Sequence, residues 1–368
     1  MKKKPVLFVG SFLEKAKDRS VGGQMYACKS LVGSSLSNYI DWIYLDTTGK
    51  SVPPPSMYSR LVSAIFRVFK FCYLLIFYSP SSVLIFSANG PSIYEKGFMI
   101  TIAKLLGKRT IFAPRGGPLI DEIAASNFKK QYFKLIVKYS NYVICQGTFW
   151  KEYFNDLLNR NSPEKLVIIP NWIDVDFYMR LKNEGVQENL NEINILFMGW
   201  MQVEKGINDL FEALLVSEIK NYKVNMYFLG DGNQRELLTN RSILENKSTN
   251  LNFFFPGWIH GADKFAYLTK ADIFVLPSYS EGMPNSLMEA MASGIACIST
   301  NVGAVSDLID DQVNGIMYKP KDIKALTFAI EQLVGNREQR IIFGKKAAEK
   351  IYRNHSLESA VISFKRIL

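Results

Sequence analysis

Apolar residues along this chain fall into two alternating patterns. Short unbroken runs, rich in β-branched and aromatic residues, occur at 6–9, 82–86, 110–113, 143–145 and 167–169, and again at 195–198, 224–229, 252–255, 273–277 and 295–298. Runs this short, without polar alternation, predict strands buried on both faces, as in a parallel sheet. Between them lie segments whose apolar positions recur at helical spacing. One follows Met25, Ala27 and Leu31, one runs from about 57 to 77, and one sets Lys130, Lys134 and Lys138 at i, i+4 and i+8 beside Phe133, Leu135 and Ile136. The segment from Arg337 onward reads as helices. Strands alternating with helices predict an α/β architecture. The polar stretch from Lys182 to Asn194 interrupts the rhythm, and 368 residues are long for one core. Two domains are expected, 1–180 and 195–350, joined by a linker at 181–194.

Charge is unevenly placed. The chain has 44 Lys and Arg against 34 Asp and Glu, net +10, and residues 1–180 alone hold 24 against 12. A basic half attracts nucleic acid, anionic lipid or an anionic acceptor. No helix-turn-helix, zinc-finger or RNA-recognition signature is present, so nucleic acid is set aside and lipid or a lipid diphosphate preferred. The 57–77 segment carries Arg60, Arg67 and Lys70 in one stripe among apolar and aromatic residues. It and the Lys130 helix are candidates to rest on an anionic membrane, although for the first of them packing against the sheet is the favoured alternative. Met1-Lys-Lys-Lys4 precedes an apolar run that is short and meets Glu14 and Lys15, so 6–9 is taken as a first strand and not a signal peptide. No apolar stretch approaches the ~18 residues that span a bilayer. Cys28, Cys72, Cys145 and Cys297 are scattered, without a C-x-x-C pair, which points to a reducing compartment and no zinc site. The expected location is cytoplasmic, at the inner face of the cytoplasmic membrane.

Candidate chemistry concentrates in Glu281-Gly282-Met283-Pro284-Asn285-Ser286-Leu287-Met288-Glu289, between the 273–277 strand and a helix. Pro284 suits a first helical position, and a helix start at the C-terminal end of a strand offers unpaired N–H groups and partial positive charge to an anion. One carboxylate in the loop and one in the first helical turn flank that site. Both are explained by a ligand carrying hydroxyls as well as phosphates, a nucleotide sugar, with amides on the diphosphate, Glu289 on the ribose and Glu281 on the sugar. The alternative is two solvated charges at an ordinary helix start. Gly22 and Gly23 precede another helix and allow close backbone approach to a ligand. Asp174 and Asp176 form a D-x-D without further ligands around it and are not read as a metal site.

The spacing from Glu281 to Glu289 resembles the E-x7-E motif of retaining nucleotide-sugar glycosyltransferases of family 4, of the bacterial polysaccharide and lipopolysaccharide type. Ala290 to Gly294, Val302 to Val305, Asp307 to Ile309 and Asn314-Gly315 downstream, with Gly199 to Gly206, Leu229 to Gly232, Pro256-Gly257 and Ala271-Asp272 upstream, keep that family's order. The resemblance implies a GT-B fold: two Rossmann-like domains with parallel sheets facing a central cleft, and a terminal helix, 351–368, returning to the first domain with Ile362, Phe364 and Leu368 as anchors. It implies a UDP- or GDP-sugar donor on the C-terminal side, a lipid-linked oligosaccharide or saccharide acceptor on the basic side, retention of anomeric configuration and no metal. It places the nucleobase near Gly257, Trp258 and Ile259, and the departing phosphate on Lys205. Two positions depart from the pattern. Trp200 stands where an Arg is usual, and Arg115, followed by Gly116, stands where a His-Asp pair is usual; Arg115 is a candidate to hold a phosphate or an acidic acceptor, with a loop-stabilising ion pair as the alternative. Another GT-B enzyme, an epimerase or phosphorylase, and a non-catalytic sugar-nucleotide-binding protein remain alternatives.

Overall fold

In the computed structural model, which describes residues 3–13, 23–49, 56–183, 192–219, 221–245 and 250–368, every one of those apolar runs is a parallel strand. The chain divides into two compact units, Met1–Trp172 with Leu357–Leu368, and Ile173–Ser356.

In the first unit, β1 (Lys4–Gly10), β2 (Ile40–Asp46), β3 (Ser82–Ser87), β4 (Arg109–Pro114), β5 (Tyr142–Cys145) and β6 (Leu166–Ile168) form one sheet in the order β2-β1-β3-β4-β5-β6. β2 lies outside the predicted set because, as an edge strand, it mixes buried and exposed positions. Successive residues of a strand face opposite sides. Thus Ile111 and Ala113 join Phe8, Phe86 and Trp172 in one core layer, while Phe112 packs on Phe133 of the Asn127–Tyr139 helix with ring centroids 6.3 Å apart. Leu357–Ile367 is a helix belonging to that first layer: Phe364 meets Trp172 edge-on at 5.7 Å, and Leu368 O accepts from Ser82 Oγ at 3.4 Å. Of the three expected anchors Phe364 and Leu368 are buried in this unit; Ile362 is 54% exposed, on the opposite side of its helix. The helix Met57–Phe77 also departs from sheet packing: only Phe71, Leu74 and Leu75 are buried.

In the second unit, β7 (Glu192–Met198), β8 (Lys223–Leu229), β9 (Leu251–Gly257), β10 (Ile273–Leu276), β11 (Ala296–Thr300) and β12 (Ile316–Tyr318) form a sheet in the order β12-β11-β10-β7-β8-β9. β12, only three residues long, is the other strand without a predicted counterpart. Asp174 serves as a helix cap, its Oδ1 accepting the Phe177 N–H at 3.1 Å ahead of the helix Val175–Asn183. Residues 181–183 of the expected linker end that helix, 192–194 begin β7, and 184–191 lie outside the described residues.

Glycines tie the loops at the C-terminal edge of this second sheet. A Cβ on Gly206 would sit 1.9 Å from Pro277 O, one on Gly230 1.8 Å from Gly199 O, and one on Gly303 1.9 Å from Glu281 O. The loops after β7, β8, β10 and β11 therefore touch backbone to backbone, at distances that only hydrogen on Cα permits. Hydrogen bonds complete the contact: Tyr279 N–H to Glu204 O at 2.9 Å, Met201 N–H to Asp231 O at 2.8 Å, and Ala304 N–H to Gly282 O at 2.8 Å.

Two stability predictions follow from this packing. Phe364→Ala empties a fully buried site and should lower unfolding free energy by about 3–5 kcal/mol in urea titration. Gly303 and Gly261 share φ +55, but only Gly303 has backbone in the way; nothing lies within 4 Å of a Cβ on Gly261. Each Ala substitution should cost about 1–2 kcal/mol for the left-handed backbone, and Gly303→Ala should cost clearly more. Equal losses in thermal unfolding would show that the loops part freely.

Candidate active site

The helix Asn285–Ala292 starts directly after the loop that leaves β10. Pro284 is not its first residue but its N-cap, in extended geometry, and the first N–H to find a carbonyl four residues back is that of Met288, on Pro284 O at 3.2 Å. Ser286 and Leu287 precede it, so their amides have no partner of that kind within the helix. Gly282, Met283 and Pro284 are buried, Asn285 and Ser286 half-buried. Glu289 lies one residue beyond the first turn, where its side chain is carried around the helix start instead of sitting at it.

Each motif carboxylate is held by a lysine from a different element. Lys205 Nζ donates to Glu281 Oε1 at 2.6 Å, and Ser278 Oγ donates to the same oxygen at 2.7 Å. Lys205 ends a short 3₁₀ turn, Val203–Lys205, whose left-handed cap is Gly206, the glycine pressed on Pro277. Ser278 is fully buried and its own carbonyl accepts from Thr300 Oγ1 at 2.6 Å, so the base of this cluster is fixed by β11. Tyr279, next in the loop, donates its hydroxyl to Asp209 Oδ2 at 2.9 Å; burial and then that carboxylate push the phenol up to about 12. Glu289 Oε1 accepts from Lys264 Nζ at 2.9 Å. Side chains in both ion pairs are between 11% and 26% exposed, open to a ligand yet sheltered enough that charge counts.

Trp200 follows β7 and Trp258 follows β9, and their rings meet at 4.8 Å, tilted by 43°. His260, the cap residue of the helix Gly261–Lys270, lies 5.9 Å from Trp258. Gly257 O accepts the Gly230 N–H at 2.8 Å, and Ile259 is half-buried beside it in sequence. The indole of Trp200 is thus turned to the aromatic pair.

The remaining sequence candidates lie in the first unit. Gly23 opens the helix Gly23–Gly33, while Gly22 lies outside the described residues. Arg115, just past β4, is clasped between aromatic rings, 4.7 Å from Phe86 and 5.1 Å from Trp172, and hydrogen-bonds Asn171 Oδ1. Gln146 Nε2 donates to the same oxygen at 2.9 Å, and Gln146 Oε1 is buried without a partner among the described residues. Burial lowers the guanidinium to about 10, offset by the nearby Cys28 thiol, itself pushed up to about 12 by burial.

The structure brings Glu281 and Lys205 together, Glu289 beside the helix start, and Trp200 onto Trp258. Sequence reasoning missed Lys264, Ser278, Gln146 and Asn171. Lys264 carries no local signal, since it reaches Glu289 from 25 residues away on another helix. Ser278, three residues before Glu281, has the spacing of a loop cap and was legible in principle.

Residues 180–350 match the family model described as "Glycosyl transferases group 1". An uncharacterized glycosyltransferase of Methanocaldococcus jannaschii is 24% identical over 282 residues, covering 74% of this chain and 70% of that protein. A putative teichuronic acid biosynthesis glycosyltransferase of Bacillus subtilis, TuaC, is 33% identical over 157 residues, 43% of this chain and 36% of that protein, so the match spans about a third of the relative's length. Among solved structures, sucrose-phosphate synthase from Thermosynechococcus elongatus has a TM-score of 0.75 at 16% identity, covering 99% of this chain and 98% of that one. The Anabaena protein HepE in complex with UDP-glucose has a TM-score of 0.64 at 15% identity, covering 99% and 100%. The chain thus has the GT-B fold, and the likeness of its residues 180–350 to group 1 supports a glycosyltransferase.

Proposed function

We propose that the protein moves a hexose from a UDP- or GDP-sugar, with retained anomeric configuration, to a lipid-linked or saccharide acceptor in the synthesis of a cell-surface polysaccharide. The observation that carries this reading is the pair of lysine-held carboxylates, Glu281 with Lys205 and Glu289 with Lys264, on either side of the Asn285 helix start. A nucleotide sugar presents hydroxyls at both ends and a diphosphate between them, and this arrangement offers acceptors at both ends and amides between. Glu289 takes the ribose, its orientation set by Lys264. Glu281 orients the transferred sugar. Lys205 shifts part of its charge from Glu281 to the departing phosphate, where negative charge grows in the transition state.

With Trp200 turned onto Trp258, the diphosphate is met by Lys205 and by the amides of Ser286 and Leu287 instead of by a second side-chain cation. The Trp pair, with Gly257 and Ile259, is a wall for the nucleobase. In a retaining transfer the diphosphate stays on the reacting face and itself accepts the acceptor's proton, so neither a protein base nor a metal is required by this scheme. The group 1 likeness, the UDP-glucose named for the Anabaena protein and the teichuronic acid named for the Bacillus relative support donor class and pathway type. Arg115 belongs to the acceptor's side of the reaction, taking a phosphate or acidic group. We place the enzyme at the cytoplasmic face of an anionic membrane, on the strength of the basic first unit.

The first experiment is thermal stabilisation by UDP-, GDP-, ADP- and TDP-sugars without acceptor. A donor at hundredfold excess over its Kd should raise apparent stability by about 2.7 kcal/mol, and Glu289→Ala should abolish the shift. If no nucleotide sugar stabilises the wild type, the donor reading is wrong. Once an acceptor is found, Lys205→Ala should lower kcat by roughly 10²–10³, and EDTA should leave the rate unchanged. NMR of the product's anomeric proton decides retention; an inverted product would exclude the proposed mechanism.

A further inference from the structure

The helix Met57–Phe77 faces the wrong way for one that merely covers a sheet. Three of its 21 residues are buried, whereas Met57, Tyr58, Phe66, Phe69 and Phe77 are each at least 70% exposed. At about 100° per residue, positions 58, 61, 65, 69, 73 and 76 fall within an arc of roughly 120°, and all six are large, apolar or aromatic, and exposed. Ser63 and Lys70 lie between that strip and the buried face, and half-buried Arg67 falls on the buried side itself, between Leu74 and Phe71. The result is an apolar ribbon about 30 Å long on the outside of the unit. Just past its far end Lys108 Nζ donates to Ser79 Oγ at 2.9 Å. A monomeric soluble surface rarely leaves so continuous an apolar patch bare.

Charge decides what covers it. Between residues 57 and 109 there are seven Lys and Arg and a single carboxylate, Glu95. That carboxylate is already engaged, by Arg67 Nε at 2.7 Å, Arg67 Nη2 at 2.8 Å and Lys96 Nζ at 3.2 Å. Lys70 remains exposed at the edge of the ribbon, and Arg60 is exposed on the other side of the helix. The whole first unit holds 25 Lys and Arg against 11 Asp and Glu. A second copy docked here would set two cationic faces against each other, whereas an anionic bilayer complements both the charge and the apolar ribbon. No helix among the described residues is long and apolar enough to cross a membrane.

We propose that Met57–Phe77 is an interfacial helix that lies in the headgroup boundary of an anionic bilayer, with Phe66, Phe69, Tyr73 and Ile76 in the acyl region and Lys70 at the lipid phosphates. This deepens, and rests on, the membrane part of the proposed function. It changes the expected physics: adhesion comes mainly from apolar burial and survives salt, where adsorption through a basic stripe alone does not.

The helix carries its own probe. Cys72 is partly exposed, and the other three cysteines are buried, so a polarity-sensitive thiol dye reports from the helix itself. With vesicles of phosphatidylcholine containing roughly a third phosphatidylglycerol, the dye should shift to the blue and the protein should co-sediment. Most of that binding should persist in about 1 M salt, where the screening length is near 3 Å. Phe66→Ser with Phe69→Ser should weaken it by at least about tenfold, with circular dichroism and nucleotide-sugar stabilisation unchanged. Binding that salt removes and the double substitution leaves intact overturns the inference while the membrane reading stands. Absence of binding to any vesicle overturns both. A wild-type dimer that the double substitution dissociates, without vesicle binding, assigns the face to a second copy and likewise overturns it.

Discussion

The second unit's site depends on backbones that touch. Where the loops after β7, β8, β10 and β11 cross, hydrogen atoms of Gly206, Gly230 and Gly303 occupy the space a side chain would need. Close crossing excludes water from between the loops and leaves each loop's geometry determined by its neighbours. Lys205 and Glu281 meet at 2.6 Å because Gly206 and Pro277, one residue and four residues from them in sequence, are already in contact. Binding energy is then available for the ligand instead of being used to order the site.

The fold was legible to a high degree because both sheets are parallel and covered. Strands such as 82–86 and 273–276 are buried throughout, so their signal is a bare apolar run, too short for a buried helix and rich in β-branched and aromatic residues. β2 and β12 escaped for the opposite reason: each is at a sheet edge, one half-exposed and one very short. The helix Met57–Phe77 was legible as a helix, yet an apolar helix looks the same in sequence whether its face is turned to a sheet or to the outside. Only neighbouring surface decides that, and sequence spacing does not encode it.

Of the site, the chemical types were readable and their partners were not. Glu281, Glu289 and Lys205 stand out through spacing, whereas Lys264 and Asn171 act from elements distant in sequence. Trp200 shows the limit most clearly. Its identity names no partner; only the structure shows it packed on Trp258, the two rings forming one aromatic surface. Arg115 is similar, since its position past β4 fits an anion site while its clasp between Phe86 and Trp172 restrains how far it reaches.

That clasp has a further partner. Trp172 packs edge-on against Phe364, which lies in the segment Leu357–Leu368, and this segment belongs to the first unit although every residue of the second is translated before it. During synthesis the sheet of β1 to β6 emerges with one apolar face still lacking the ring that closes it. Folding of the two units is therefore ordered by the ribosome in an unusual sense: the second is fully available before the first can complete its core, and Arg115 acquires its final surroundings only then.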